Sequence, residues 1–189
     1  GLYTLLASIA GARKTIAFEP DLINFEQLTS NVKSWNCKNI EIRNHAVGNK
    51  DGYVTLKGRD VAVHIADFEE HTSDNSKVKC TILDELIPDV ENSSVVLKID
   101  TEGYEEQILN GADALLRSGQ VHTILIEINS NNVSSGASMS IIAILNNLGY
   151  KSCRYDIQTE MLIEVDGYNK CQDNTCLLYT SPSPRDPHL

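Results

Sequence analysis

The sequence predicts an α/β fold: a mostly parallel sheet with helices on both faces, ending in an antiparallel hairpin. Three observations predict it. Apolar segments of helical and of extended period alternate along the chain. Two extended segments, 94–100 and 121–128, are rich in Val, Leu and Ile on successive positions, as strands covered on both faces are. Segments 151–155 and 161–165 are extended and close enough to pair as a hairpin.

Each element has its own signal. Leu2, Leu5, Leu6 and Ile9 recur at helical spacing, and Gly11 ends that helix. Thr15-Ile16-Ala17-Phe18 is a short strand closed by Glu19-Pro20, because proline cannot continue the ladder. Asp21 is placed to cap a helix reaching about Trp35, with Leu22, Phe25 and Leu28 inward. A strand over 40–44, a turn at 49–52 and a strand over 53–56 follow. Residues 57–76 are polar and weakly patterned and read as a variable loop. An extended stretch over 78–83 leads into a short helix capped by Thr81 and stopped by Pro88. After the strand over 94–100 comes a helix over 104–117, with Ile108, Leu109, Ala112, Leu115 and Leu116 inward. The strand over 121–128 and a helix over 138–148, stopped by Gly149, precede the hairpin.

Residues 1–170 are therefore read as one domain. Residues 177–189 are set outside it. Three prolines within seven residues, 181–187, bar a helix or a central strand. The stretch resembles translated adapter or vector sequence and is excluded from fold reasoning.

Composition narrows the partners. The formal charge of −10 disfavours polynucleotides and anionic membranes, whose affinity for proteins comes mainly from Lys and Arg. A small uncharged or cationic substrate is easier to accept than a polynucleotide. No apolar run approaches the ~18 residues that a membrane span needs. Five scattered cysteines without a paired metal-ligand spacing read as reduced thiols, and a cytoplasmic location is expected. No metal is expected. The oligomeric state is not legible.

The chemistry sits where strands end. In an open parallel sheet, ligands bind beyond the carboxyl ends of the strands, and Glu19, Asp100 with Glu102, and Glu127 all fall there. Glu19 lies 18 residues after Gly1, the spacing at which a second-strand carboxylate accepts hydrogen bonds from both ribose hydroxyls of an adenosyl cofactor. Glu102-Gly103 reads as the turn from the strand into the next helix. Glu105, in that helix's first turn, has a sufficient role in favourable interaction with the helix dipole.

These strings, in this order, resemble the FkbM-like methyltransferase family. They are Gly1 with Leu2-Tyr3-Thr4-Leu5-Leu6, Ile16-Ala17-Phe18-Glu19-Pro20, Asn44-His45-Ala46-Val47-Gly48, Thr81-Ile82-Leu83-Asp84-Glu85-Leu86, Leu97-Lys98-Ile99-Asp100-Thr101-Glu102-Gly103-Tyr104-Glu105, Ile108-Leu109-Asn110-Gly111-Ala112 and Ile126-Glu127-Ile128. The resemblance implies a class I Rossmann-like fold, S-adenosyl-L-methionine (SAM) as cofactor, and methyl transfer to a hydroxyl of a small molecule or glycan.

It carries Gly1 over as the end of a glycine loop and Glu19 as the ribose ligand. Asn44, His45 and Ala46 fall where the adenine is lined. Asp100 lies near the methionine end of the cofactor or the acceptor, and Glu102 orients substrate. Asp100, Glu102 and then His45 are the candidate bases. The resemblance also expects a first strand and an earlier part of the glycine loop ahead of Gly1, so the 189-residue chain by itself is expected to bind SAM poorly. The alternatives are a non-catalytic binding module of the same fold and a nicotinamide-dependent oxidoreductase, which shares the glycine turn and the strand-end acid.

Overall fold

A computed structural model of the chain describes residues 1–57, 64–69, 77–101, 103–128, 136–165 and 175–180. The chain divides into two compact units, Gly1–Thr81 and Ile82–Leu189.

In the first unit, helix α1 (Leu2–Ile9) leads into strand β1 (Thr15–Phe18), helix α2 (Leu22–Ser34) and strand β2 (Ile40–Arg43). β1 and β2 pair in parallel, Thr15 beside Ile40 and Phe18 beside Arg43. Asn39 stitches the elements together: its side chain donates to the Ala12 carbonyl at 2.6 Å, and its carbonyl accepts from the Thr15 N–H at 2.8 Å. The expected cap of α2 forms, with the Asp21 carboxylate accepting from the Asn24 N–H at 2.9 Å. Leu28 and Val32 are buried on its inner face, whereas Leu22 is exposed. The apolar side of α1 is likewise turned outward at Leu2, Leu6 and Ile9. Periodicity marks a helix but does not fix which way the helix is rolled.

The unit continues through β3 (Ala46–Val47), β4 (Gly52–Lys57), β5 (His64–Glu69) and β6 (Val78–Thr81), which form one sheet in the order β3-β6-β4-β5. β3 and β6 run parallel, and the other two pairs are antiparallel. Ala46, Val54 and Cys80 form its small core, with Leu56 and Val78 against it. β5 arises inside the stretch read as a loop. Its pairing with β4 supplies what its own weak pattern does not show.

The second unit opens on a 3-10 turn (Leu83–Leu86) and a short helix α3 (Ile87–Val90). Two details differ from expectation. The turn begins at Ile82 without a side-chain cap, and Pro88 sits in the first turn of α3 instead of stopping a helix. At that position the absent proline N–H is no loss, since the first helical amides have no partner within the helix. Next come β7 (Val95–Ile99), α4 (Glu105–Asn110), α5 (Asp113–Arg117), β8 (Val121–Ile128), α6 (Ala137–Asn147), β9 (Lys151–Asp156), β10 (Met161–Glu164) and β11 (Thr175–Thr180). The helix expected over 104–117 is two helices that break at Gly111-Ala112, yet all five residues expected inward are buried. They pack the core with Ile124, Ile126 and Ile128 of β8 and Ile141 and Leu145 of α6, each large aliphatic chain adding ~1.5–3 kcal/mol on burial.

The five strands lie in the order β10-β9-β11-β8-β7. β7 and β8 are parallel, the hairpin β9–β10 is antiparallel as expected, and β11 runs antiparallel between β8 and β9. β11 corrects the sequence reading. Leu177–Thr180 was set outside the fold, but here it is most of an inner strand with Tyr179 buried. The prolines begin only at Pro182, beyond the ladder. Residues 181–189 lie outside the described residues. Antiparallel pairing is thus more extensive than the alternation of segments indicates, because β5 and β11 carry no alternation signal of their own. β7 is an edge strand among the described residues, and Val96 is exposed there despite its apolar sequence. No described helix is long and apolar enough to cross a membrane.

Candidate functional site

β1 and β2 end together. Their parallel register stops at Phe18 and Arg43, and one more bond, from the Glu19 N–H to the Arg43 carbonyl at 3.1 Å, carries the alignment one residue further. Glu19 and Asn44 therefore leave the ladder side by side. The Asn44 side-chain amide donates to the carbonyls of Glu19 at 2.9 Å and Pro20 at 3.1 Å. These carbonyls lie where the ladder ends, and the Asn44 amide satisfies them.

The Glu19 carboxyl group is half-buried. Its Oε1 accepts from the Asp21 N–H at 3.0 Å, the one protein donor to it among the described residues. Burial pushes its pKa up, the Asp21 charge adds to the rise, and the Asp21 N–H and the Gly1 amino group pull it down. Gly1 heads α1, and a Cβ there would run into the Leu28 side chain, so glycine lets the backbone lie against α2.

His45 is half-buried in the connection from β2 to β3. Ala46 is 1% exposed, and its methyl group belongs to the core with Val54 and Cys80. Any ligand surface it offers is backbone. Of the sequence-predicted site residues, Glu19 and Asn44 are brought together in the first unit, with His45 and Ala46 next in the chain, and Gly1 lies at the head of α1 in the same unit.

Asp100 directly follows β7 in the second unit. Its side chain is 41% exposed and pairs with Lys98 Nζ at 3.0 Å, two residues back on the same face of the strand. The β7–β8 register sets Ile99 beside Ile126, so Asp100 and Glu127 follow at adjacent strand ends. Glu102 lies outside the described residues. Glu105 is 0% exposed, and its Oε1 accepts from Thr101 N–H (2.9 Å), Thr101 Oγ1–H (3.1 Å) and Gly103 N–H (3.2 Å). Its carboxylate folds back onto the connection before α4. The sequence reading missed this, although Thr101, Gly103 and Glu105 at alternate positions around a glycine are its signal. Among the described residues no group of three or more His, Cys, Asp and Glu side chains could hold a metal ion.

The family model for the methyltransferase FkbM domain matches residues 2–155, most of the chain. The chain belongs to the FkbM methyltransferase family. Among solved structures it is similar to an FkbM methyltransferase from Methylobacillus flagellatus KT, with a TM-score of 0.57 at 15% identity over 93% of this chain. The chain spans 39% of that structure's length. That likeness bears on the fold, which is the mixed α/β, Rossmann-like fold of class I methyltransferases. No curated protein matches the chain. The matching model is that of a methyltransferase domain.

Proposed function

We propose that this FkbM protein is a SAM-dependent O-methyltransferase acting on a hydroxyl of a small molecule or glycan, with residues 1–170 together with β11 as its catalytic domain. The observation that carries the cofactor half is the meeting of Glu19 and Asn44 at the aligned ends of β1 and β2. The donor set fits an adenosyl group. Glu19 offers a carboxylate with an oxygen that no described residue engages, suited to a pair of vicinal hydroxyls. Glycine at the head of α1 permits close backbone approach.

SAM supplies a methyl group activated on a sulfonium when bound. The protein's own residues do the rest. Glu19 accepts from the ribose hydroxyls, while Asn44 holds the backbone beneath Glu19. His45 and the Ala46 backbone line the adenine. Asp100, which pairs with Lys98, receives the proton that the acceptor oxygen releases. Glu102 orients the acceptor. The charge of −10 supports a neutral or cationic acceptor over a polynucleotide.

The test uses protein expressed from the complete coding sequence. Calorimetry is expected to show S-adenosylhomocysteine binding that weakens ~10–100-fold in Glu19→Ala, as the loss of hydrogen bonds to a charged group implies. Transfer from labelled SAM to a hydroxyl panel is expected to give an oxygen-linked methyl group by mass spectrometry. Binding of NAD without S-adenosylhomocysteine overturns the cofactor assignment. A methyl group found on nitrogen or carbon overturns the O-transfer assignment.

A further inference from the structure

We infer that Glu105 is the positioning residue of this site, the group that fixes the strand-to-helix connection carrying Asp100; the inference rests on the reading of the site given above. A carboxylate withdrawn from water is costly unless donors replace the lost hydration. Glu105 is fully buried, and the connection it follows supplies three donors to a single oxygen. Two of them are backbone amides, and bonds to an ionised acceptor are roughly twice as strong as neutral ones.

The direction of these bonds separates positioning from simple helix stabilisation. A first-turn acid that only serves its helix faces the amides of that helix or the solvent. The three bonds that the Glu105 Oε1 accepts come from Thr101 and Gly103, ahead of the helix. Gly103 has φ +109°, a conformation that an L side chain rarely adopts, so the amide it presents to Glu105 depends on its being glycine. Asp100 precedes Thr101 directly and stays outward on Lys98. The connection thus has a clamped inner side and a presented outer side. Glu105 touches neither cofactor nor acceptor and acts through the backbone that aims Asp100.

The experiment compares Glu105→Gln, Glu105→Ala and Thr101→Val in protein from the complete coding sequence. Amide exchange is read at Thr101 and Gly103, alongside kcat, KM and S-adenosylhomocysteine affinity. Glu105→Ala is expected to lose exchange protection at both amides and to lower kcat about 100-fold, the scale of a displacement near 1 Å in a reacting group. Its affinity for S-adenosylhomocysteine should stay within about threefold of wild type, because Glu105 makes no ligand contact. Glu105→Gln keeps an acceptor oxygen and is expected to restore most of the protection and to hold kcat within about tenfold of wild type.

Unchanged exchange in Glu105→Ala overturns the inference. So does a fall in activity that only tracks the folded fraction seen by circular dichroism. If both Glu105 variants fail to fold, Thr101→Val decides. It removes only the hydroxyl donor, and a several-fold loss of kcat with unchanged affinity supports the clamp, while wild-type kcat overturns it. Wild-type protein that binds no S-adenosylhomocysteine overturns the cofactor reading instead. In that case faster exchange at Thr101 and Gly103 in Glu105→Ala still supports the clamp, and unchanged exchange overturns it.

Discussion

Asn44 holds the end of β1 in place by donating from its side chain to the Glu19 carbonyl, 2.9 Å away across 25 residues of sequence. The same amide group reaches the Pro20 carbonyl. A polar side chain just past one parallel strand thereby sets the position of the acid just past its neighbour. Asn44→Ala leaves two carbonyls without that donor and is expected to cost ~1–2 kcal/mol of stability and about tenfold in S-adenosylhomocysteine affinity. Asn44→Asp should be worse at pH 7, since it turns a negative oxygen toward two carbonyl oxygens, and should recover toward pH 4 as the new carboxyl protonates. Urea denaturation at the two pH values measures both; an aspartate variant as stable as wild type at pH 7 contradicts the geometry.

Glu19 sets binding against stability. Burial raises its pKa, so the folded chain holds the proton more tightly than the unfolded chain. The sign follows from linkage: the stability is present below the ordinary value of 4.5 and is lost as pH rises through the raised folded value. At pH 7 the ionised acid is a net burden on the fold. Glu19→Gln keeps an acceptor for the Asp21 N–H and is expected to melt at or above the wild-type temperature at pH 7, the gap closing at pH 4. Its S-adenosylhomocysteine affinity should fall ~10–100-fold. Thermal melts at both pH values with calorimetry check this; a variant melting below wild type at pH 7 refutes it.

Tyr150 joins two parts of the second unit. Its hydroxyl lies 2.9 Å from the Val121 carbonyl and 3.4 Å from the Leu116 carbonyl, so its proton can serve the end of α5 or the start of β8. Burial pushes its pKa up to about 12. The neutral phenol is the form that the fold favours, so this stability is present below pH 10 and is lost as pH rises toward 12. Cys80, pushed up to about 11 by burial and the nearby Asp51 charge, adds to the same alkaline loss. Tyr150→Phe is expected to cost ~1 kcal/mol at pH 7 and to flatten the decline above pH 10 without abolishing it. Denaturation midpoints from pH 7 to 11.5 read this directly; equal slopes in the two proteins argue against a buried donor.

Asp84 caps a helix far from it in sequence. α5 starts after Ala112 and has no capping side chain of its own. The Asp84 carboxylate accepts from the Ala114 N–H at 3.1 Å and the Leu115 N–H at 2.8 Å, and its own N–H donates to the Gly111 carbonyl. Asp84→Ala is expected to cost about 1 kcal/mol, the usual scale for a lost N-cap, with most recovered in Asp84→Asn. A lower urea midpoint at unchanged denaturant slope is the signature. A midpoint equal to wild type would mean that water replaces the cap.

The legibility of the fold follows the range of the forces. The helices α1 and α2, the cap at Asp21, the strand β8 and the hairpin β9–β10 were readable because caps, periodicity and short turns act within a few residues. β5 and β11 were not, because each is a strand through the partner beside it. The roll of α1 was also hidden, since Leu2, Leu6 and Ile9 define an apolar side without naming what it faces. At the candidate site, the strand-end acids Glu19 and Asp100 were legible, as acids just beyond apolar runs. The Asn44 tie and the Glu105 clamp were not, the first because it spans distant sequence, the second because a first-turn acid has a simpler local explanation.

The order of residues alone determined that this is an α/β chain of the FkbM kind, with Glu19 and Asp100 at strand ends. Both conclusions rest on local pattern and on short strings. Only the tertiary structure decided that Glu19 and Asn44 converge, that the Ala46 methyl group is core, and that Glu105 turns back onto Thr101 and Gly103. The reason is physical. A side chain's surroundings come from segments that pairing and burial bring together, and a carboxylate's role changes with whether those segments offer it water or donors.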